Sequence, residues 1–417
     1  MHPMELEPGI YAAPPGADFP AALVSALGRW ADARTPDALA RVSVFVNTRR
    51  MQRRMRSLFD AGPARLLPRL RLVTDIAKDP VASDLPPAVP PLRRRLELAA
   101  LVAKLIDAAP DLAPRSAVPD LADSLSRLMD EMQGEGVGLS ALRELDVADL
   151  SGHWARNKAF LDLVGSYLAA DGSSAPDPEA RLRLATERLI ARWEQDAPSD
   201  PVIVAGSTGS RDTTALFMGA VARLPTGILV LPGFDRDLTP EDWSDIRRAG
   251  EDHPQFRFAA LMERLEISPQ DVRLWPGSAP PDPARNRLLS LSLRPAPVTD
   301  RWLREGPDLG DLRVATKGLT LIEAGSPRDE AGAIAMILRS ALAKGHRVAL
   351  VTPDRMLTRR VSALLDRWNI TPDDSAGRPL GLSAPGRFLR QVAELRSERL
   401  TAATLLSLLK HPLCHSG

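Results

Sequence analysis

The stretch 202-VIVAGSTGSRDTTALFMGAVARLPTGILVLPG-233 decides the fold class. Two short apolar runs, 202-VIVAG-206 and 228-ILVLPG-233, each end in glycine and flank a segment over 213–223 with helical periodicity. A buried strand, a helix and a second buried strand are the signature of a parallel βαβ unit. The stretch therefore predicts an α/β protein with a parallel sheet.

The first 75 residues repeat this alternation of strands and helices. Their order is a strand over 9–13, a helix over 19–32, a strand at 42-VSVFV-46, a helix over 48–60 and a strand within 66–76. Residues 92–195 instead carry apolar side chains at helical spacing, including a segment marked by Phe160, Leu161, Val164 and Leu168. They predict an all-helical insertion between two parts of one α/β domain.

A second α/β block follows a passage over about 276–312 that is rich in proline, aspartate and arginine and predicts a linker. The block has a strand, a glycine turn and a helix over 319–342, then a strand at 348-VALVTP-353. The predicted organisation has five parts. They are an α/β domain over 1–78, a helical insertion over 79–198, the same α/β domain resumed over 199–275, a linker over 276–315 and a partial α/β domain over 316–417.

The two α/β blocks share a sequence echo. The stretches 44-VFVNTRRMQRRMRS-57 and 349-ALVTPDRMLTRRVS-362 align without a gap at an offset of 305 residues, with identities that include Arg50/Arg355 and Arg54/Arg359. Each copy reads as an apolar strand, a polar turn and an arginine-rich helix. Five identities in fourteen positions are equally consistent with duplication of one unit and with chance.

Composition predicts an ordinary globular protein of the cytoplasm. Of 417 residues, 44% are hydrophobic and 26% are charged, and no apolar run approaches the roughly 18 residues of a membrane span. The one cysteine, Cys414, excludes disulfides and any iron–sulfur cluster held by four thiolates of this chain. With 54 basic and 53 acidic residues the net charge is +1, so a DNA site requires a local basic patch.

The turn at 14-PPGADF-19 has the position of a phosphate-binding loop. A working loop, G-x-x-x-x-G-K-[ST], cradles phosphate with backbone N–H groups, a lysine and a hydroxyl. Aligning Gly16 with the second glycine places Ala17 at the lysine and Asp18 at the hydroxyl, and the two prolines remove backbone donors. We therefore predict a degenerate P-loop at Gly16, Ala17 and Asp18 that binds no nucleotide, with Asp18 near the N-cap of the next helix.

A second turn, 205-AGSTGSRD-212, has glycines, hydroxyls and Arg211 that suit an anion-binding nest. The strand before it ends in Ala205 and Gly206, without the carboxylate that organises Mg²⁺ in a hydrolysing NTPase. The next strand is followed by a single carboxylate, Asp235. These features predict no ATPase machinery and no catalytic residue.

The segment 49-RRMQRRMR-56 holds five arginines in eight residues, directly after a buried strand. A solvated helix face is the simplest interpretation of a charge run. All the charges have one sign, however, and the helix begins at the carboxyl end of a parallel strand, where open α/β sheets bind ligands. Candidate contacts to nucleic-acid phosphates are therefore Asn47, Thr48, Arg49, Arg50 and Arg53.

Two groups of residues resemble metal ligands only weakly. His411, Cys414 and His415 lie close together in sequence, and Asp130 and Glu131 lie in a predicted helix among apolar neighbours. We predict that neither group binds a metal.

The order of these segments resembles superfamily 1 helicases, in which a helical region interrupts the first of two RecA-like domains. Particular stretches resemble the N-terminal, helicase-like portion of the AddB family, of the alphaproteobacterial type, from the AddAB complexes that repair double-strand breaks. These stretches are 14-PPGADF-19, 44-VFVNTRRMQRRM-55, 203-IVAGSTGSRDTTALFM-218, 229-LVLPGFD-235, 323-EAGSPRDEAGAIA-335, 350-LVTPDRMLTRRV-361 and 373-DDSAGRPL-380.

The resemblance implies two RecA-like parallel-sheet domains, of which the second is partial. It implies a heterodimer with an AddA-type helicase-nuclease, and single-stranded DNA and DNA ends as ligands in homologous recombination. AddB-like helicase portions are commonly inactive as motors and hold the single strand. On this template the segments 47–53 and 352–359 contact DNA, which adds Thr352, Arg355 and Arg359 to the candidates, together with Arg211 from the second turn. The family's iron–sulfur cluster and Mg²⁺-dependent nuclease are expected beyond residue 417, so we expect no cofactor in this chain.

Two other functions stay open. A protein-interaction module with solvated arginine helices would show no salt-sensitive affinity for DNA. A nucleotide-sugar enzyme with two Rossmann-like domains would use 206-GSTGS-210 for a diphosphate and would need an acid or base in its cleft. The expected function is a motor-inactive, helicase-like scaffold that binds single-stranded DNA.

Overall fold

The structure is a computed structural model, and it describes residues 6–108, 110, 113–138, 176–377, 379–397 and 399–415. The chain divides into two compact units, Met1–Lys317 and Gly318–Gly417, which are described one at a time. The helical segment predicted around residues 160–168 lies outside the described residues. Within the described ranges, no helix has the length and apolar character needed to cross a membrane.

A six-stranded parallel sheet forms the centre of the first unit. Its strands are β1 (Gly9–Ala12), β2 (Ser43–Val46), β3 (Arg69–Leu72), β4 (Val202–Ala205), β5 (Gly227–Leu231) and β6 (Arg273–Leu274). They lie in the order β3-β2-β4-β5-β1-β6, and each neighbouring pair is parallel. The predicted α/β class with a parallel sheet is confirmed. The order differs from the 3-2-1-4-5-6 order of dinucleotide-binding folds, because β4 and β5 lie between β1 and β2.

Helices cover both faces of the sheet and extend away from it. In the first unit they are α1 (Phe19–Asp32), α2 (Ala38–Arg41), α3 (Arg49–Asp60), α4 (Pro91–Ala108), α5 (Val118–Glu135), α6 (Pro178–Gln195), α7 (Asp212–Arg223), α8 (Pro240–Ala249), α9 (Phe256–Leu265), α10 (Pro283–Ser292), α11 (Arg301–Glu305) and α12 (Leu312–Ala315). In the second unit they are α13 (Pro327–Ala343), α14 (Arg355–Asp366), α15 (Ala384–Ser397) and α16 (Ala402–Leu409). Short 3₁₀ turns lie at Val73–Lys78, Pro80–Ala82, Arg115–Ala117, Pro269–Asp271, Ala296–Val298, Gly306–Leu309 and Leu380–Leu382.

Two separate cores form on the two faces of the sheet, because successive strand residues point to opposite sides. Phe45 and Val204 pack with α6, α7, α8 and α9 on one face. Val44 and Ile203 pack with α1, α2 and α3 on the other. Since both faces are covered, the central strands β4 and β5 read in the sequence as continuous apolar runs, whereas the edge strand β3, 69-RLRL-72, alternates.

The described part of the predicted insertion is helical. α4 and α5 pack against each other through an apolar cluster that includes Leu98, Val102 and Leu125. Buried Arg94 joins three helices, because its Nη1 lies 2.6 Å from Oδ1 of Asp130 and its Nε lies 2.7 Å from Oδ1 of Asp177, the residue before α6.

The passage over 276–315 is folded, which corrects the prediction of a linker. α10 packs against α11 and α12, and the Arg285 Nε donates to the Ala315 carbonyl at 2.9 Å. The linker was predicted from the proline content of this passage, but prolines also occur at helix starts. Several prolines here stand in the first turn of a helix, as Pro283 does in α10 and Pro307 does in the 3₁₀ turn Gly306–Leu309. The missing N–H is harmless in that position.

The second unit has a helical core without a sheet in its described residues. α13 and α14 pack together through Ala331, Ala335, Leu338, Leu357, Val361 and Leu365. The strands predicted over 319–324 and 348–353 are not paired, and Leu321 and Val351 within them are 85% and 93% exposed. A parallel strand pair is weak without further strands beside it, so two apolar segments alone do not make a sheet.

The structure also corrects the register of the sequence echo. α3 and α14 are equivalent at an offset of 306 residues and not 305, because Arg49–Asp60 corresponds to Arg355–Asp366. At this offset the buried Met55 and Phe59 match the buried Val361 and Leu365. Asn47 and Thr48 separate β2 from α3, whereas three residues, 352–354, separate the apolar segment 348–351 from α14. The identities at 305 therefore align different helix faces, whereas the offset of 306 aligns the faces that each helix buries.

Candidate nucleic-acid interface

The arginine-rich helix α3 begins at the carboxyl edge of the parallel sheet. β2 ends one residue before Asn47, which is exposed, and the Thr48 hydroxyl caps α3 by accepting the Met51 N–H at 3.2 Å. Met55 and Phe59 are buried in the core, so the opposite face of α3 points to solvent. Because capping uses only the oxygen of Thr48 as an acceptor, its hydroxyl proton stays available for donation.

The arginines of α3 differ in their partners. Arg54 has a carboxylate nearby, since its Nη2 lies 3.5 Å from Oδ2 of Asp18. Arg49, Arg53 and Arg56 are exposed and form no ion pair with any residue that the structure describes. Some exposed arginines elsewhere face carboxylates at 3.0 Å or less, as in the pairs Arg93–Glu97, Arg115–Asp107 and Arg313–Asp311.

An open groove of about 550 Å³ runs along one side of α3. Arg49, Gln52 and Arg53 line it from the helix, and Leu72 and Asp75 line it from the other wall. The two walls meet because β2 and β3 are parallel neighbours whose carboxyl ends lie at the same edge of the sheet.

Hydrogen bonds hold the side chains of Gln52 and Asp75 in place in the groove. The Gln52 Nε2 donates to the Leu70 carbonyl at 2.8 Å. Asp75 accepts the Leu72 N–H at 3.0 Å on Oδ2 and the Lys78 Nζ at 3.2 Å on Oδ1. Burial opposes the ionised form of Asp75, but these hydrogen bonds and the nearby positive charges prevail and hold its pKa below the ordinary value.

The degenerate P-loop forms a tight turn. The Ala17 N–H donates to the Pro14 carbonyl at 3.3 Å, with Gly16 between them at a φ of +83°. Asp18 then caps α1, where its Oδ1 accepts the Ala21 N–H at 3.2 Å, which confirms the predicted N-cap role. The Asp18 carboxylate also places negative charge where a phosphate would lie.

Pro281 and the first turn of α10 contact this turn on one side, while Gly16 and Asp18 stay exposed. The Asn286 Nδ2 donates to the Pro15 carbonyl at 3.0 Å. The Pro281 ring lies against Gly16, where an added Cβ would be 3.4 Å from two ring carbons. The carboxyl end of β1 therefore contacts another part of the chain at the place where a P-loop protein binds nucleotide.

Arg211 lies in acidic surroundings and does not line the α3 groove. Its Nη1 is 3.0 Å from Oε1 of Glu179, and a cavity of about 90 Å³ beside it is lined by Asp130, Glu131, Gly134 and Glu135. The Gly209 N–H in the preceding turn donates to the Ser207 hydroxyl at 3.3 Å. These carboxylates disfavour an anion next to Arg211, whereas Gly206, at the start of the same turn, lies beside Asn47.

The remaining candidates, Thr352, Arg355 and Arg359, lie in the second unit around the start of α14. The Thr352 hydroxyl accepts the N–H of the capping residue Asp354 at 3.0 Å. The Arg355 Nη1 lies 3.3 Å from Asp374, and Arg359 is exposed without an ion pair to a described residue. At the corrected offset, these two arginines are the counterparts of the two that line the α3 groove.

The described residues contain no group of three or more histidine, cysteine, aspartate or glutamate side chains placed to hold a metal. Asp130 binds Arg94, and the His411 ring lies 5.2 Å from the ring of Phe388.

Sequence reasoning missed the second wall of the groove, which Leu72 and Asp75 form. Two signals were present in the sequence. The strand within 66–76 ends at the same sheet edge as 42–46 if the two are parallel neighbours, and Asp75 follows the end of that strand by three residues. Neither signal identifies the neighbour of β2 without the strand order.

Neither a protein-family model nor a curated protein matches the chain.

Proposed function

We propose that the chain is a helicase-like, motor-inactive part of an AddB-type subunit, and that it binds single-stranded DNA along the exposed face of α3. The sequence resemblance supports the family, and with it an AddA-type partner and a role in processing double-strand breaks for homologous recombination. The structure bears on the DNA contact and on the inactive motor.

One observation carries the DNA contact. Arg49 and Arg53 line an open groove at the carboxyl edge of a parallel sheet, and no carboxylate of the described residues neutralises either one. Residues four apart on a helix lie on the same face. The two guanidinium groups therefore form a pair of cations suited to phosphates of a single strand, with Asn47 and Thr48 as neighbouring donors.

The composition and contacts of the turn after β1 support an inactive motor. Asn286 and Pro281 contact the residues that would cradle phosphate, and Asp18 replaces the hydroxyl of a working loop. β4 ends at Ala205 without a carboxylate for Mg²⁺. We therefore propose that this chain does not hydrolyse ATP.

We further propose that both units are RecA-like. Support for the first unit comes from the parallel sheet with helices on both faces and a helical region between β3 and β4. Support for the second comes from α14, which matches α3 in length and in its buried face at the offset of 306 residues.

The strand order and the charges weigh against a Rossmann-type nucleotide-sugar enzyme. β4 and β5 separate β1 from β2, unlike the dinucleotide-binding order. The turn proposed to hold a diphosphate ends at Arg211, which is paired with Glu179. A protein-interaction module without DNA affinity is the second candidate, and one experiment separates it from our proposal.

The test is fluorescence anisotropy of a labelled single-stranded oligonucleotide over a salt series. The variant is Arg49→Ala with Arg53→Ala, and the matched control is Arg93→Ala with Arg313→Ala, which removes the same charge from exposed arginines of the same unit. Each phosphate contact to a single strand contributes about 0.7 to the slope of log affinity against log salt, so losing two lowers the slope by about 1.4.

The control is expected to keep the slope of the unchanged protein. Equal losses in both variants would mean that the effect is general charge and not a site on α3. Absence of salt-sensitive binding by folded protein would favour the interaction module.

A further inference from the structure

The groove along α3 has two chemically different walls. Arg49 and Arg53 supply only hydrogen-bond donors. Gln52 starts on the same helix, but its side chain reaches β3, where its amide nitrogen donates to the Leu70 carbonyl and its Oε1 is left as an acceptor without a donor among the described residues. On the other wall, Asp75 has only acceptors when ionised, and Leu72 adds an apolar surface.

This division orients a bound strand. Phosphates are attracted to the arginine side and repelled by the Asp75 carboxylate, so a single strand in the groove turns its bases toward Gln52 and Asp75. Gln52 Oε1 and the Asp75 carboxylate are hydrogen-bond acceptors, so they bind base edges that carry hydrogen-bond donors.

Bases differ in what they offer to acceptors. Cytosine, adenine and guanine each carry an exocyclic amino group, and a carboxylate accepting from the cytosine amino group is an established mode of base recognition. Thymine has no amino group, and its one base donor, the N3–H, stands between two carbonyl oxygens that the acceptors of the groove repel. We propose that Gln52 and Asp75 make the α3 groove prefer bases that carry an exocyclic amino group over thymine.

Lys78 does not block this role of Asp75. Its ammonium lies 3.2 Å from Oδ1, but the Lys78 side chain is 76% exposed, and exposed ion pairs of this kind are weak. An amino group of a base can therefore replace it. The bond from the Leu72 N–H to Oδ2 meanwhile holds the carboxylate in place against the groove.

The inference rests on the proposed DNA binding, and the experiment separates the two. Labelled oligo-dC and oligo-dT of equal length, both single-stranded pyrimidine strands, are titrated with the whole chain at one salt concentration. The unchanged protein is expected to bind oligo-dC about fivefold to tenfold more tightly, toward the lower end of base discrimination because the groove is open. Salt-sensitive binding of both with equal affinity overturns the base preference alone, and binding of neither overturns the proposed function as well.

The Asp75→Asn variant tests the residue. Asparagine can still accept the Leu72 N–H, but it places an amide donor in the groove, so the ratio of affinities for oligo-dC and oligo-dT is expected to fall toward one. Removing a negative charge raises affinity for both strands, which leaves the ratio as the specific readout. The Lys78→Ala control frees the same carboxylate and is expected to keep or raise the ratio.

A second variant, Gln52→Met, removes the other acceptor while keeping the length of the side chain, and it is expected to lower the same ratio. Circular dichroism confirms that each variant is folded. An unchanged ratio in both folded variants would overturn the assignment of these two residues.

Discussion

Replacing Asp242 with alanine tests how α10, which contacts the turn after β1, is held to the rest of the first unit. Asp242 is fully buried at the start of α8. Its Oδ2 accepts the Thr239 N–H at 2.8 Å and lies 2.9 Å from Nη2 of Arg294, and its Oδ1 contacts Arg301. One carboxylate therefore joins α8 to Arg294, two residues after α10, and to Arg301, the first residue of α11.

The expected loss of stability follows from these contacts. Alanine leaves the guanidinium of Arg294, whose side chain is 3% exposed, without its closest carboxylate. Removing one partner of a buried ion pair costs about 3–5 kcal/mol. Losing the hydrogen bond from the Thr239 N–H to Oδ2 adds about 1 kcal/mol. Glu305, 3.8 Å from Arg294, stays and offsets part of this loss, so we expect the free energy of unfolding to fall by about 3–5 kcal/mol.

The measurement is equilibrium urea unfolding followed by far-ultraviolet circular dichroism. The control is Glu97→Ala, which removes a carboxylate from an exposed pair with Arg93 and is expected to change stability by less than about 0.5 kcal/mol. A loss below about 1 kcal/mol for Asp242→Ala would refute the reasoning, because it would mean that the Arg294 charge is solvated in the folded protein and needs no buried partner.

Two further predictions concern the P-loop turn and a buried histidine. Changing Ala17 to Lys and Asp18 to Thr is expected to give no ATP turnover, because Pro281 packs against Gly16 and β4 ends without a carboxylate; phosphate release above that of the unchanged protein would contradict this. Burial, more than the surrounding charges, lowers the pKa of His253. As pH falls below about 6.5 the unfolded chain takes up a proton that the folded protein does not, so the free energy of unfolding is expected to decrease on acidification. Urea unfolding at a series of pH values should show a flatter dependence for His253→Gln, and an unchanged dependence would count against the assignment.

The first sheet was predictable from the sequence because its strands are buried on both faces. Runs such as 42-VSVFV-46 and 202-VIVAG-206 are apolar apart from Ser43 and end in glycine or polar turns, and the structure places strands within them. The helix boundaries were also accessible locally, since Thr48 and Asp18 are cap residues that stand directly before their helices.

The prediction failed where structure depends on distant partners. The apolar segments 319–324 and 348–353 have the composition of strands, but a strand needs hydrogen-bonding neighbours, and the described residues of the second unit supply none. Only the helix wall of the α3 groove was predicted, for a similar reason. Its arginines stand together in the sequence, whereas Leu72 and Asp75 reach it through the pairing of β2 with β3. The register of the echo was misassigned because identity alone ignores which helix face is buried.

The link between the β1 turn and α3 bears on how the proposed DNA contact is controlled. Asp18 caps α1 and also lies near Arg54 of α3, and α1 and α3 share one apolar core through residues such as Leu23, Leu27, Met55 and Phe59. The Asp18–Arg54 pair is exposed and weak, so the apolar core is what fixes the position of α3. A ligand shifts a conformation only by binding its two states differently. If the turn binds no nucleotide, as we propose, ATP has no contact through which to do so, and we expect the arginines of α3 to keep one arrangement whether or not ATP is present.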